Sequence, residues 1–299
     1  KSGNMNFKKE FKENVIDYFI DDYLHGRTPN PCIACNRYVK WESLLKRSLD
    51  IGAEYIATGH YARVAKLSNG RYAIRNSATA AKDQTYALYN LTQDQLSKTL
   101  MPVGEYTKDQ IRAMADEIGL LVAHKPDSQD ICFVPDGDYA AAIERLAGIK
   151  APCGNFIDAS GKVIGTHRGI THYTVGQHRG LGLSLPERRY VCSIDAENST
   201  VTLGGSDELY SSTAEVRGFN WISGETPAEP IRCTAKIRYR QPEQPATAIA
   251  HKDGSITIQF DAPQRAVTPG QAAVLYDGDT LLGGGEIVRC RNLRRAARS

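Results

Sequence analysis

The residues best suited to chemistry are cysteines. Cys32 and Cys35 lie three positions apart in GRTPNPCIACNRYVKW (26–41), and Cys132 stands in KPDSQDICF (125–133). A thiolate is a strong nucleophile and cleaves sulfur–sulfur bonds by exchange. A CxxC pair has three generic uses. A zinc half-site needs a second pair of ligands, and the chain has no second CxxC and no HxxxH. A thioredoxin-like couple should follow a strand and open a helix, which the Pro29-Asn30-Pro31 run contradicts. Spacing then leaves two alternatives open: a nucleophilic or sulfur-handling Cys35, or two loop thiols without a chemical role. Cys132, flanked by Ile131 and Phe133, reads first as a core cysteine.

The elements around these thiols follow from pattern. Pro29 and Pro31 predict a rigid extended loop, and the helical pattern begins at Asn36, with Val39, Leu44, Leu45 and Leu49 sharing a face and Gly52 as the stop. Cys35 is then expected at or just before a helix N-terminus, where free N–H groups and the dipole favour a thiolate. Ahead of the loop, Phe7, Phe11, Val15 and Phe19 recur every four residues, marking an amphipathic helix that Gly26 ends. After it, Tyr55 to Thr58 reads as a parallel strand with Gly59 and His60 at its carboxyl end, where ligands of doubly wound sheets bind.

Residues 62–76 alternate around Asn69-Gly70 and predict a hairpin. Thr92/Gln95 and Thr107/Gln110 are capping boxes, the second opening a helix closed by Gly119, and another helix is expected over 139–146. From about Gly154 short alternating runs separated by turn residues predict antiparallel barrels or sandwiches, with strands over 190–203 and 256–260. In KIRYR (236–240) a strand would line Lys236, Arg238 and Arg240 on one face, a row suited to backbone phosphates or simply to solvent. Lys82, Asp83, Gln84 and Tyr86 form a polar stretch ahead of a helix, an ordinary cap if nothing more.

Composition bounds the rest. The chain has 299 residues, 8% aromatic and 24% charged, the proportions of a globular protein of two or three domains. A net charge of +3 does not by itself identify a nucleic-acid binder, although Arg289, Arg291, Arg294, Arg295 and Arg298 make a basic end, read as solvated. Seven dispersed cysteines do not form a secreted disulfide framework, and no run is apolar enough to cross a bilayer. These features predict a cytoplasmic protein with no membrane partner.

Taken together, GRTPNPCIACN, IATGHYAR, KDQTYALYNLT, KPDSQDICF, GITHYTVGQHRGLG, KIRYRQPE and AVTPGQAAVLYDGD resemble, in this order, the tRNA 2-thiouridylase family (MnmA/TrmU). The resemblance covers nearly the whole chain. It implies an α/β plus all-β fold: the remainder of a Rossmann-like PP-loop ATPase domain over 1–148, a small β-rich central domain over 149–205, and a C-terminal β-barrel over 206–299. It also implies the reaction, ATP-dependent 2-thiolation of the wobble uridine of tRNA, with Mg2+ expected beside ATP and no stably bound metal.

By the same resemblance Cys35 is the first catalytic cysteine and Cys132 carries the persulfide sulfur, supplied by a sulfur-carrier protein. Sulfur transfer leaves a Cys35–Cys132 disulfide. A mobile loop must bring the two together, since bridging needs Cα atoms within about 7 Å. Gly59 approaches ATP; Asn30, Pro31 and Cys32 line the target base; His60, Lys82, Asp83, Gln84, Arg238, Tyr239 and Gln271 contact tRNA.

Two departures from the family pattern stand out. Nothing in the chain matches the SGGVDSS-like PP-loop, so it reads as N-terminally truncated, and these residues alone are expected to bind ATP poorly and not to thiolate. At Cys32 several relatives carry Asp, and a thiol of pKa about 8.5 replaces a carboxylate near 4 poorly. A three-cysteine iron–sulfur site of Cys32, Cys35 and Cys132 is therefore the mechanistic alternative. A non-catalytic tRNA-binding module is the alternative of another class, and a generic CxxC redox protein ranks below both.

Overall fold

The first helical run shows how the sequence sets the frame. In the computed structural model, which describes residues 5–121, 123–124 and 131–292, α1 covers 8–24 and buries Val15, Phe19, Ile20 and Tyr23. Gly26, at φ +71°, turns the chain out of it. The basic end at Arg294, Arg295 and Arg298 lies outside the described residues, as does 125–130 of the KPDSQDICF motif.

The next helix, α2, begins earlier than its pattern suggests. It runs without interruption over 31–50, and Asn30 is its N-cap, accepting from the Cys32 N–H at 3.1 Å. The expected extended loop up to Asn36 is thus confined to residues 26–30. Pro31 occupies the first helical position, where its missing N–H costs nothing and its fixed φ suits the helix. Within α2 the stretch Cys35–Leu44 is wound more widely, with i→i+5 bonds.

Strand β1 (Ile56–Ala57) pairs in parallel with β4 (Thr99–Leu100). The strand expected over 55–58 is therefore present but short, and Tyr55 is exposed rather than buried. Between them lie the hairpin of β2 (Ala62–Lys66) and β3 (Tyr72–Asn76), turning at Gly70, and α3 (Gln93–Ser97). Helices α4 (Lys108–Glu117) and α5 (Tyr139–Ala147) follow. Both capping boxes form as expected, and Gly119 and Gly148 are left-handed at the ends of α4 and α5.

The middle of the chain forms a four-stranded sheet in the order β6 (Val163–His167), β5 (Gly154–Ile157), β8 (Thr200–Gly204), β7 (Tyr190–Asp195), around Phe156, Val191, Val201 and Leu203. The last third supplies β9 (Tyr210–Trp221), β10 (Ile231–Lys236), β11 (Gln244–Ala250), β12 (Ile256–Arg265), β13 (Ala272–Asp277) and β14 (Thr280–Asn292). Their order β13-β10-β11-β12-β9-β14, closed by β13 on β14, makes a six-stranded barrel. Period-two burial fills it with small and branched side chains such as Ala235, Ala246, Ala248, Ile258 and Leu275. The fold is thus an α/β region followed by two β-rich units, as the sequence implies.

KIRYR is not a strand. Strand β10 stops at Lys236, Ile237 is buried, and Arg238 to Arg240 turn. The expected cationic row does not form, because the turn takes Arg238 and Arg240 out of the period of two.

The hairpin also does something its sequence does not announce. Strand β3 pairs with β14, Ile74 opposite Leu281, so the α/β region and the barrel share one eight-stranded sheet. One apolar core crosses the same junction, joining Trp41, Leu45, Ile74, Tyr86 and Leu88 to Val274, Tyr276 and Leu281. Burying each of these large side chains contributes about 1.5–3 kcal/mol. Gly284 of β14 permits the approach, since a Cβ there would lie 2.7 Å from the Tyr89 ring.

Candidate active site

The loop ahead of Cys32 is tethered along its length. Arg27 donates from Nε to the buried Asp22 carboxylate at 2.6 Å, and its backbone N–H reaches Asp22 O at 2.9 Å. Burial raises the Asp22 pKa, and Arg27 lowers it only in part. Thr28 N–H donates to Pro269 O at 3.0 Å, and Gln271 Nε2 donates to Thr28 O at 2.7 Å. The barrel turn 268–271 therefore clamps the α/β loop. Pro31 is buried, Asn30 half-buried and Cys32 exposed.

Cys35 sits inside α2, one turn beyond its start, and is half-buried. Burial pushes its thiol above the ordinary value; Lys40 pulls it down, and the thiols of Cys132 and Cys32 push it up again. The expected depression by a helix N-terminus is overturned: the free N–H groups belong to the residues next to Asn30, and desolvation dominates at position 35.

Cys132 is exposed, not core. Its neighbours explain why. Phe133 packs edge-on against Phe19 and Phe11, with ring centroids 5.3 and 5.8 Å apart, and Ile131 joins the same cluster between α1 and α5. Residues 131–134 form a turn, Val134 N–H donating to Ile131 O at 2.9 Å, and Cys132 stands at its exposed corner, within electrostatic reach of Cys35. All three cysteines are thiols. Among the described residues no set of three His, Cys, Asp or Glu side chains is placed to hold a metal ion, these three included.

Lys40, whose charge acts on Cys35, reaches His60. Lys40 Nζ is 2.8 Å from Asn36 Oδ1 and 3.4 Å from His60 Nε2, while Asn36 Nδ2 donates to Ala87 O at 2.9 Å. His60 Nδ1 is 3.0 Å from Thr58 Oγ1, and Trp41 packs on the ring. Burial, then Lys40, lowers His60 to about 3, so the ring is neutral. Gly59, between Thr58 and His60, is exposed beyond the carboxyl end of β1, and a Cβ there would meet nothing within 4 Å. A nucleotide approaching this strand end would meet open backbone, a common ligand position in parallel sheets.

Lys82, Asp83 and Gln84 bridge two short helical turns. Asp83 organises its own loop, accepting from Ser77 N at 2.8 Å, Thr85 N at 3.1 Å and Thr85 Oγ1 at 2.5 Å. Gln84 pairs with Tyr61 in both directions. Tyr239, 40% exposed, hydrogen-bonds the Gln84 side chain and feels Asp83, Cys32 and Lys82, so these five residues share one surface. Lys236 Nζ rides over the rings of Tyr86 and Tyr239. Arg238 turns inward: its Nη2 donates to Thr268 Oγ1 at 2.7 Å, Ala266 O at 2.9 Å and Val175 O at 3.2 Å.

The sequence reading missed Asn36, Lys40 and Thr58. The Asn36–Lys40 spacing of four was the available signal. A separate cleft of about 380 Å³, lined by Tyr18, Arg37, Tyr89, Arg217 and Glu286, contains no cysteine.

Comparison with known proteins bears on this geometry. Three family models match the chain: a tRNA methyl transferase HUP domain over 1–136, a tRNA methyl transferase PRC-barrel domain over 146–205, and an aminomethyltransferase β-barrel domain over 211–287. A tRNA-specific 2-thiouridylase MnmA of Lachnoclostridium phytofermentans is 58% identical over 95% of this chain and 80% of its own length. Those of Acetivibrio thermocellus and Clostridioides difficile are 54% and 48% identical, each over 95% of this chain and 79% of their own. Identity of this extent, with three domain models in register along one chain, shows that the protein belongs to the MnmA family of tRNA-specific 2-thiouridylases.

Proposed function

We propose that the protein is a transferase that replaces the C2 oxygen of the tRNA wobble uridine by sulfur, with Cys35 and Cys132 as its working thiols. The observation that carries this reading is that Cys132 stands exposed within electrostatic reach of Cys35 although the two are far apart in sequence. Two structural thiols would have no reason to approach each other.

When bound, ATP with Mg2+ supplies the adenylyl group that converts the C2 oxygen into a leaving group, lost as AMP. The chain's own residues handle the sulfur. A sulfur-carrier protein transfers a sulfane sulfur to exposed Cys132, forming Cys132–S–S⁻. Its terminal sulfur attacks C2, and AMP departs with the oxygen. The Cys35 thiolate then attacks Cys132 Sγ. A Cys35–Cys132 disulfide forms, the old S–S bond breaks, and its electron pair stays on the sulfur of the base. An external dithiol restores both thiols.

Asn30, Pro31 and Cys32, at the start of α2, are assigned to the target base. Lys82, Gln84 and Tyr239 are assigned to tRNA, with Tyr239 available for stacking. His60, Asp83, Arg238 and Gln271, which the resemblance also assigns to tRNA, have polar atoms engaged within the protein and hold the neighbouring elements in place. No helix among the described residues is long and apolar enough to cross a membrane.

The test is thiolation by the full-length gene product with ATP, Mg2+, a wobble-uridine tRNA and a persulfide donor. The expected products are 2-thiouridine and AMP in equal amounts. Binding of tRNA with no AMP would instead identify a non-catalytic tRNA-binding module.

A further inference from the structure

The winding of α2 sets up an electrostatic arrangement that the cysteines alone do not suggest. In an α-helix, residues 35 and 40 would point about 140° apart. Over Cys35–Leu44 the helix closes i→i+5 bonds. More than four residues then fill each turn, so positions five apart come onto the same side of the helix. Lys40 is thereby carried onto the side of Cys35 and Asn36.

Its ammonium is held between fixed, neutral groups. Asn36 is anchored through Nδ2 on Ala87 O, leaving Oδ1 for Lys40 at 2.8 Å. An ammonium only donates, so His60 Nε2 accepts and the ring proton sits on Nδ1, which donates to Thr58 Oγ1. A cation whose acceptors among the described residues are an amide and a neutral imidazole keeps its charge unneutralised by them. Among the described residues, the groups that act electrostatically on Cys35 are Lys40 and Cys32 from α2 and Cys132 from the segment packed against α1. Lys40 is the cation of that set.

We propose that Lys40 is a positioning residue of sulfur transfer: tethered by Asn36 and His60, its ammonium is the counter-charge for the anionic sulfur of Cys35. The inference rests on the assignment of Cys35 as a working thiol and extends it to the group that sets its ionisation. The same tether links the thiol site to the end of β1 through Thr58, so charge and strand end are held in one hydrogen-bonded chain.

The experiment is the pH dependence of Cys35 alkylation by iodoacetamide, read by peptide mass spectrometry in full-length wild type, Lys40→Gln and Lys40→Arg. Removing a cation at this range should raise the midpoint in Lys40→Gln by about one pH unit and slow alkylation below it about tenfold. Lys40→Arg should restore both. An unchanged midpoint in a folded Lys40→Gln protein would overturn the proposal. If that variant does not fold, Lys40→Met, which keeps the length of the side chain without its charge, decides: its midpoint should rise by the same amount. An unchanged midpoint in folded Lys40→Met would then overturn it. Alkylation needs neither ATP nor tRNA, so its outcome is separate from thiolation. Undiminished thiolation by Cys35→Ser would overturn the assignment of Cys35, whatever Lys40 does to the thiol.

Discussion

Gln271 of the barrel donates its side-chain amide to the backbone carbonyl of Thr28 at 2.7 Å, two residues before the cap of the cysteine-bearing helix. The adjacent Gly270, at φ +86°, lies against the same loop, and a Cβ on it would stand 2.9 Å from Thr28 N. Gly270→Ala should therefore displace the loop and strain the turn, costing about 2 kcal/mol. Thermal unfolding should show the loss, and the thiolation rate should fall with it. A wild-type melting temperature would mean the clamp is slack.

Arg238 ties the middle unit to the barrel through one nitrogen, which donates to Val175 O of the middle unit and to Ala266 O and Thr268 Oγ1 of the barrel. Arg238→Ala leaves these acceptors without their charged donor and should cost about 2–3 kcal/mol. A lowered urea midpoint is the expected result. If tRNA binding weakens at an unchanged midpoint, Arg238 touches tRNA directly instead.

His60 makes stability depend on acid. Its folded pKa is depressed to about 3 by burial and by Lys40, whereas the unfolded side chain titrates near 6.5. Below pH 6.5 the unfolded chain binds the extra proton, so stability is fully present above 6.5 and is lost as pH falls towards 3. The slope is up to about 1.4 kcal/mol per pH unit. Urea midpoints between pH 7 and 5 should fall in wild type and flatten in His60→Gln. Parallel curves would place the acid sensitivity elsewhere.

Asn30 caps α2 through its side-chain oxygen. Asn30→Ala should cost about 1 kcal/mol, and Asn30→Asp should recover it, because a carboxylate accepts the same N–H. Circular dichroism melts of the two variants separate capping from any role at the base.

Local pattern made much of this legible. The four-residue repeat of α1, both capping boxes, the Asn69-Gly70 hairpin and the period-two strands of the barrel depend on neighbours in sequence, and they form where their residues stand. Three features depend on distant partners and were not readable. The join of Ile74 to Leu281 needs the barrel in place. The inward turn of Arg238 is decided by acceptors at 175, 266 and 268. The outward turn of Cys132 follows from Phe133 finding Phe11 and Phe19. At Cys35 local reasoning gave the wrong sign, because a proline at the first helical position moved the helix start upstream and left the thiol to desolvation. The wide winding that brings Lys40 round has no signature in residue spacing.

The central claim is that Cys132 carries the sulfur and Cys35 releases it. Peptide mass spectrometry of full-length wild type, Cys35→Ser and Cys132→Ser after treatment with a persulfide donor tests it most directly. One added sulfur atom is expected on the Cys132 peptide in wild type and in Cys35→Ser, with none retained in Cys132→Ser. A persulfide that survives the loss of Cys132 would contradict the account.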